Sequence, residues 1–129
     1  MKDQWVEQVE GKHVLVVGGT GFLGRNFVER LTQIGASVRA TGQGEHPEVE
    51  WLGRSDFADM ANVKRALEGQ QLVVDCIGRL GAAASNLQPT VSLEQELRPQ
   101  LNLILGAAES ESAPVLLLAS SRPVYGPPA

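Results

Sequence analysis

The chain has 129 residues, of which 43% are hydrophobic and 20% are charged, and its formal net charge at pH 7 is −4. This composition is that of a globular protein and excludes an extensively disordered or collagen-like chain, and the acidic balance, with no cluster of lysine or arginine, argues against binding of nucleic acid. A single cysteine, Cys76, excludes an internal disulfide and, with only two histidines, disfavours a metal site.

The N-terminal stretch MKDQWVEQVEGKH mixes acids, bases and glutamines. It lacks the apolar core of a signal peptide, and no apolar stretch approaches the roughly 20 residues that a membrane span requires. We therefore predict a cytoplasmic protein. At this length we expect one domain over residues 1–129, of which about 1–11 form an N-terminal extension.

Short apolar runs alternate with helical patterns along the rest of the chain. Such alternation is typical of βαβ units around a parallel sheet that is buried on both faces. The predicted strands are residues 14–17, 36–41, 49–52, 72–77 and 115–119. They predict an α/β fold, a Rossmann-like doubly wound parallel sheet in the order 3-2-1-4-5. A flavodoxin-like arrangement is the alternative, but it would not need the glycine-rich loop described below.

Two amphipathic patterns predict helices in the first half of the chain. Their apolar faces consist of Leu23, Phe27, Leu31 and Ile34 in the first and of Met60, Val63 and Leu67 in the second. Gly35 is placed to end the first helix as a left-handed cap. Asp59 is a candidate N-cap of the second helix, which is expected to end at Gly69.

A longer apolar stripe predicts a third helix in the second half. Its members are Leu93, Leu97, Leu101, Ile104 and Ala108. Pro99 interrupts this pattern, so we expect either a kink or a new helix whose first turn contains the proline. Residues 42–47 and 78–88 are predicted to be surface loops.

Four glycines lie between the first predicted strand and the first predicted helix, in the stretch VLVVGGTGFLG. The N-terminus of a helix presents unpaired N–H groups and about half a positive charge, and it therefore attracts phosphate. Gly18 would form the tight turn, Gly21 would allow a pyrophosphate to approach, and Gly24 would let the helix pack closely. The spacing is Gly-x-x-Gly-x-x-Gly, which differs from the standard dinucleotide fingerprint.

This loop resembles the cofactor loop of the extended short-chain dehydrogenase/reductases, the NAD-dependent epimerase/dehydratase family that acts largely on nucleotide sugars. Three further stretches resemble this family in order and spacing: GRSDFADMANVKRALEGQQLVVDCIG, LNLILGAAE and LASSRPVYG. The resemblance runs from about residue 12 to residue 127. It implies an NAD(P)-binding oxidoreductase fold.

The resemblance also assigns the residues that bind the cofactor. The loop residues Thr20, Gly21, Phe22 and Leu23 would supply the N–H groups that face the pyrophosphate. Asp56 would accept a hydrogen bond from the adenine amino group, or it is simply an aspartate that precedes a helix. At the end of the fourth strand the backbone would pass the ribose, at Cys76, Ile77 and Gly78, with the Cys76 thiol serving only in packing.

The tip of the second strand bears on the choice between NAD and NADP. An acidic residue there hydrogen-bonds the adenosine ribose and repels a 2′-phosphate. This chain has Gly42 where the NAD-preferring members of the family carry an aspartate, and Arg39 and Arg25 are close in sequence. The cofactor is therefore predicted to be NADP or NAD, with NADP preferred, unless Arg39 points into solvent.

The catalytic residues of this family are incomplete within these 129 residues. Ser121 matches the serine that hydrogen-bonds the substrate, although a serine that merely satisfies a strand end would look the same. The family's Tyr-x-x-x-Lys pair is absent, because Tyr125 is the only tyrosine and Ala129 stands four positions later. It is therefore uncertain from the sequence whether this chain is an enzyme.

Two functions are compatible with these features. The first is the dinucleotide-binding domain of a sugar-nucleotide epimerase/dehydratase or related oxidoreductase, incomplete for catalysis as it stands. The second is a non-catalytic NAD(P) sensor, or a subunit that a partner chain completes. Because the fifth strand would be a sheet edge, we also expect a homo-oligomer or a partner chain along that edge.

Overall fold

A five-stranded sheet forms the centre of the fold. The computed structural model describes residues 4–78 and 86–127. The strands are β1 (His13–Val17), β2 (Ser37–Ala40), β3 (Glu50–Trp51), β4 (Leu72–Asp75) and β5 (Val115–Leu118). They pair in parallel in the order β3-β2-β1-β4-β5. The predicted sheet is confirmed, and its strands form from the apolar runs because both faces of the sheet are covered near β1.

Helices connect most of the strands. They are α1 (Gln4–Val9), α2 (Phe22–Gln33), α3 (Met60–Leu67), α4 (Pro89–Ser92) and α5 (Arg98–Glu109). A π-helical turn, Leu93–Leu97, joins α4 to α5, and a 3₁₀ turn, Arg122–Tyr125, follows β5. Pro99 lies in the first turn of α5, which is the second of the two outcomes expected there. Most of the predicted loop 78–88 lies outside the described residues.

The predicted helix caps are confirmed. The Asp59 carboxylate accepts a hydrogen bond from the Ala61 N–H at 2.9 Å and caps α3. Gly35 follows α2 with φ +83°, a conformation that glycine adopts without strain. The N-terminal extension contains a helix that the sequence patterns did not predict, α1, and its Val6 is buried in the core.

The core lies on both sides of the sheet. Alternate residues of β1 point to opposite faces: Val16 packs with Val28 of α2 on one side, and Leu15 packs with Val63 of α3 on the other. The predicted apolar face of α2 is partly wrong, because Leu23 is 45% exposed. Gly24 takes the inward position at that end of the helix.

The predicted apolar face of the third long helix is also wrong. The buried residues of α5 are Pro99, Leu103, Gly106 and Ala107, whereas the stripe that begins at Leu93 is mostly exposed. Gly106 explains this choice, since a Cβ there would lie 2.8 Å from Val63 Cγ1 of α3. Small residues allow α5 to approach α3 closely, and the leucines on the other side of α5 remain at the surface. None of the described helices has the length and hydropathy needed to cross a bilayer.

Candidate functional site

The loop between β1 and α2 is anchored to the end of β2. Gly18 turns the chain with φ +80°, and its N–H donates to Thr41 Oγ1 at 2.8 Å. The Gly19 N–H donates to the Thr41 carbonyl at 3.0 Å. Thr41 was predicted only as a strand end, but the structure shows that it determines where this loop lies.

Three of the loop glycines are required by the packing of the protein itself. A Cβ at Gly24 would lie 1.9 Å from the Gly18 carbonyl oxygen, and a Cβ at Gly19 would lie 2.8 Å from Ala40 Cβ. A Cβ at Gly18 would lie 3.0 Å from the Cys76 carbonyl oxygen. These three positions therefore bring the start of α2 against the loop, and the loop against β2 and β4.

Gly21 is different, because the fold itself does not require a glycine there. Its φ is −71°, which any residue can adopt. A Cβ at this position would have the Gly18 carbonyl oxygen as its nearest neighbour, at 3.4 Å, an ordinary contact distance. The residue is exposed. A bare backbone at this position thus leaves room for a group that does not belong to the chain.

The amide groups around Gly21 are mostly unengaged. The Gly21 N–H itself closes the turn by donating to the Gly18 carbonyl at 3.1 Å, and the Arg25 N–H donates back to the Gly21 carbonyl at 3.0 Å. Within residues 4–78 and 86–127, nothing accepts a hydrogen bond from the N–H of Thr20, Phe22 or Leu23, and α2 has no side-chain cap. This helix end can therefore receive an anion.

A pocket of about 530 Å³ adjoins this loop, between α2 and residues 43–48. Trp51 forms one wall, where its ring packs against Gly44 and its Nε1–H donates to the His46 carbonyl at 3.2 Å. The charged residues that line the pocket are Arg25, Glu29, Glu45 and Glu48. Carboxylates thus outnumber the arginine in this pocket.

Arg39 does not face this pocket. Its Nε forms an ion pair with Glu50 at 2.8 Å, and its Nη1 donates to the carbonyls of Ala66 at 3.1 Å and Glu68 at 3.0 Å. These carbonyls end α3, where a positive charge is favourable. The structure thus engages the Arg39 guanidinium in capping a helix, and its predicted role toward a 2′-phosphate stays a prediction.

Gly42 occupies the tip of β2 in a conformation that suits glycine. Its φ is +115°, and its N–H donates to the Gly53 carbonyl at 2.7 Å. A Cβ at this position would lie 2.8 Å from the Thr20 side chain. An aspartate here would be strained by the positive φ, and the Thr20 side chain would have to move away from its Cβ.

Asp56 begins the turn that leads into α3. Its Oδ1 accepts a hydrogen bond from the Ala58 N–H at 2.9 Å, and its carbonyl accepts one from Asn62 Nδ2 at 3.0 Å. The side chain is exposed. This geometry accounts for the aspartate as a turn residue and still leaves its second carboxylate oxygen accessible.

The residues after β4 lie beside the glycine loop. Cys76 is partly buried, and burial, followed by the nearby Asp75 charge, raises the pKa of its thiol, so the sulfur stays protonated and packs against the core. Ile77 packs on the α3 side of the sheet, whereas Gly78 is exposed. The contact between Gly18 and Cys76 brings the ends of β1 and β4 together, as in sheets that bind ligands at their carboxyl edge.

Asp75 is a buried carboxylate that the sequence patterns did not single out. It is 1% exposed, and its Oδ1 accepts a hydrogen bond from the Ile77 N–H at 2.9 Å. Oδ2 has no hydrogen-bond partner in the part of the chain that the structure describes. Burial raises the pKa of this carboxyl, and hydrogen bonds from the Ile77 N–H and the Gln100 side chain offset it in part. In the sequence, the only sign of a buried carboxylate at this position was that Asp75 interrupts the apolar run 72–77.

Ser121 lies past the end of β5, at the same edge of the sheet. It is exposed, and its carbonyl accepts a hydrogen bond from the Val124 N–H at 3.1 Å, which begins the 3₁₀ turn. Tyr125 at the end of that turn is 89% exposed. Ser121 follows a strand that is separated from β1 by β4 in the sheet. Among the described residues, no group of three potential metal ligands occurs.

Comparison with known proteins gives a consistent result. Residues 14–129 match the family model described as the NAD dependent epimerase/dehydratase family. UDP-glucuronic acid decarboxylase 1 of Danio rerio is 31% identical over 134 residues, and the match covers 97% of this chain and 31% of the relative. The dTDP-4-dehydro-6-deoxy-D-allose reductase of a Streptomyces species is 26% identical over 136 residues, covering 95% of this chain and 40% of the reductase.

The fold is also found among solved structures. The Bordetella bronchiseptica enzyme WbmF, solved in complex with NAD+, superposes with a TM-score of 0.79 at 21% identity, and the match covers 90% of this chain and 38% of WbmF. At this identity the likeness shows the fold alone. The chain spans about a third to two fifths of the length of these proteins.

Proposed function

Because this chain belongs to the NAD-dependent epimerase/dehydratase family, we propose that it binds NAD(P) with the pyrophosphate on the loop between β1 and α2. The observation that carries this proposal is the bare backbone at Gly21. Packing accounts for Gly18, Gly19 and Gly24, whereas no contact in the described structure requires a glycine at position 21, and a bound pyrophosphate would require one. The unengaged amides of Thr20, Phe22 and Leu23 supply donors for the phosphate oxygens.

The bound NAD(P) would serve a reaction on a sugar nucleotide. Relatives are named as a UDP-glucuronic acid decarboxylase and a dTDP-sugar reductase, and these names support that substrate class for the family member to which this chain corresponds. The 129 residues contain no Tyr-x-x-x-Lys pair. We therefore propose cofactor binding as the activity of these residues, with Ser121 placed toward a substrate and Asp56 toward the adenine.

The decisive experiment replaces Gly21 with aspartate. As the N-cap residue of α2, an aspartate can accept hydrogen bonds from the free amides of the first turn, which stabilises the helix by about 0.3 kcal/mol relative to glycine. The same carboxylate accepts hydrogen bonds from the N–H groups that would otherwise bind the diphosphate, and its negative charge repels the diphosphate. We expect Gly21→Asp to unfold at equal or higher denaturant concentration than the wild type, while calorimetric titration shows at least about tenfold weaker NADH binding.

Because stability is retained while NADH affinity falls, the loss of binding cannot be attributed to a folding defect. Equal NADH affinity in wild type and Gly21→Asp would contradict the site. As a control, Gln8→Asp on α1 adds the same charge at an exposed position, and there NADH affinity should not change.

The charges around the pocket bear on the choice of cofactor. The preference for NADP depended on Arg39 and Arg25, but Arg39 caps α3 and Arg25 shares the pocket with three glutamates. A 2′-phosphate would be repelled by these carboxylates, whereas a ribose hydroxyl could donate to one of them. We therefore propose that the pocket selects NAD(H) over NADP(H).

Titration with both reduced cofactors tests this selection. We expect NADH to bind at least about tenfold more tightly than NADPH, with the difference decreasing in a Glu45→Gln variant. Tighter binding of NADPH, lost in Arg25→Ala, would instead show that an arginine recognises the 2′-phosphate.

A further inference from the structure

Thr41 holds the glycine loop through two hydrogen-bond acceptors on one residue. Its Oγ1 accepts the Gly18 N–H at 2.8 Å, and its carbonyl accepts the Gly19 N–H at 3.0 Å. Thr41 is only 7% exposed, and its own N–H donates to the Val16 carbonyl at 3.0 Å, which continues the pairing of β2 with β1. The sheet therefore fixes Thr41, and Thr41 fixes the loop.

The Thr41 hydroxyl changes the hydrogen-bond register where β1 ends. In a regular parallel ladder, the residue that donates to the Val16 carbonyl would accept at its own carbonyl the N–H that lies two positions further on, which is that of Gly18. Here the hydroxyl accepts the Gly18 N–H, and the carbonyl accepts the Gly19 N–H instead. The pairing thus shifts by one residue at this point, where Gly18 turns the chain with φ +80°.

The position of Gly18 determines where the free amides of the loop lie. The start of α2 packs directly on the Gly18 carbonyl, since a Cβ at Gly24 would lie 1.9 Å from its oxygen. The N–H groups of Phe22 and Leu23 belong to this first turn of α2, and that of Thr20 lies between the turn and Gly18. A movement of Gly18 would therefore move these donors as well.

We propose that Thr41 is a positioning residue for dinucleotide binding, because its hydroxyl holds the loop in the register in which the free amides meet the pyrophosphate. This inference rests on the proposed function, since its ligand is the same NAD(P). Without the hydroxyl, the Gly18 N–H would take the carbonyl of residue 41, as in the regular ladder. The buried Gly19 N–H would then lose its acceptor, and the loop would have to move. Tight binding requires donors that are held to within about 0.5 Å.

Two variants at position 41 separate the hydroxyl from the packing of the side chain. Thr41→Val keeps the branched shape and loses the acceptor, whereas Thr41→Ser keeps the hydroxyl and loses a methyl group. In calorimetric titration we expect Thr41→Val to bind NADH at least about tenfold more weakly than the wild type, and Thr41→Ser to bind within about threefold of it. Thr90→Val, the same substitution at an exposed position of α4, should leave NADH affinity unchanged.

Amide exchange of the ligand-free chain gives a second readout, which does not depend on affinity. In the wild type the N–H groups of Gly18 and Gly19 should both be protected, because each has an acceptor on Thr41. In Thr41→Val at least one of the two should exchange about tenfold faster or more, while the amides of β2 and β4 keep their protection. Thr41→Ser should restore the protection of both glycines.

The possible contradictions can be told apart. Equal NADH affinity in the wild type and Thr41→Val would overturn the role of Thr41 and leave the proposed function intact. So would a Thr41→Ser variant that binds as weakly as Thr41→Val, because the loss would then follow the packing of the side chain, and so would unchanged exchange of Gly18 and Gly19 in Thr41→Val. A wild type that does not bind NADH would overturn the proposed function, and with it any role of Thr41 toward the cofactor.

Discussion

Replacing Gly24 with alanine should destabilise the protein by about 3 kcal/mol or more, or prevent folding, because the side chain is forced into space filled by backbone. The new Cβ would lie 1.9 Å from the Gly18 carbonyl oxygen, 2.7 Å from the Gly18 carbonyl carbon and 3.0 Å from Gly19 Cα. These atoms cannot move independently, since the Gly18 and Gly19 N–H groups are bonded to Thr41. Urea unfolding followed by circular dichroism measures the loss.

Alanine at Gly21, three residues earlier on the same loop, is the matched control. Its Cβ would meet only the Gly18 carbonyl oxygen at 3.4 Å, and φ is −71°. We expect the free energy of unfolding to change by about 1 kcal/mol or less, the cost of alanine at an N-cap. If Gly24→Ala were as stable as Gly21→Ala, the close packing of α2 on the loop would be disproved.

Replacing Asp75 with asparagine should stabilise the protein at neutral pH by about 1–3 kcal/mol, the range expected for relieving a buried, incompletely paired carboxylate. Asparagine keeps the oxygen that accepts the Ile77 N–H. It removes the negative charge of the carboxylate, whose Oδ2 has no hydrogen-bond partner among the described residues. The nearby Gln100 side chain can present either its oxygen or its nitrogen to the new amide.

The pH dependence of this effect follows from the raised pKa of Asp75. The folded state holds the proton to a higher pH than the unfolded state, whose pKa is near 3.8. Below that pH Asp75 is protonated in both states, so its burial does not lower the free energy of unfolding. As pH rises through the interval up to the folded pKa, the unfolded state loses its proton first and the wild type loses stability. The advantage of Asp75→Asn should therefore be small in acid, below the unfolded pKa, and should reach its full size once the pH exceeds the folded pKa.

Chemical unfolding of both proteins across this pH range measures the difference. Asp56→Asn is the control, because that exposed carboxylate accepts the Ala58 N–H through an oxygen that asparagine retains. We expect its free energy of unfolding to stay within about 0.5 kcal/mol of the wild type. A stability difference for Asp75→Asn that is independent of pH, or that is largest in acid, would refute a buried carboxylate with a raised pKa.

The site was only partly predictable from the sequence. The glycine loop and the helix that follows it were visible because strand, turn and helix patterns adjoin within a few residues. The turn at Gly18 and the close packing at Gly24 were predicted, whereas the constraint at Gly19 was not, since it comes from Ala40, which is distant in the sequence. Arg39 was assigned to a phosphate because of its position near a strand tip, but α3 packs close enough for its terminal carbonyls to bind the guanidinium.

The sequence by itself determined the positions of the strands, the caps at Asp59 and Gly35, and the phosphate-type loop, because each depends on residues that are neighbours in the chain. The order of the strands in the sheet was predictable because doubly wound folds share it. Only the tertiary structure decided which side of α5 is buried, where Arg39 is bonded, and that Asp75 lacks a partner for Oδ2 among the described residues. These depend on contacts between residues far apart in sequence. The pattern of α5 shows the physical reason: a helix with apolar residues on two sides can bury either one, and the close approach that Gly106 allows to Val63 selects the side with the smaller residues.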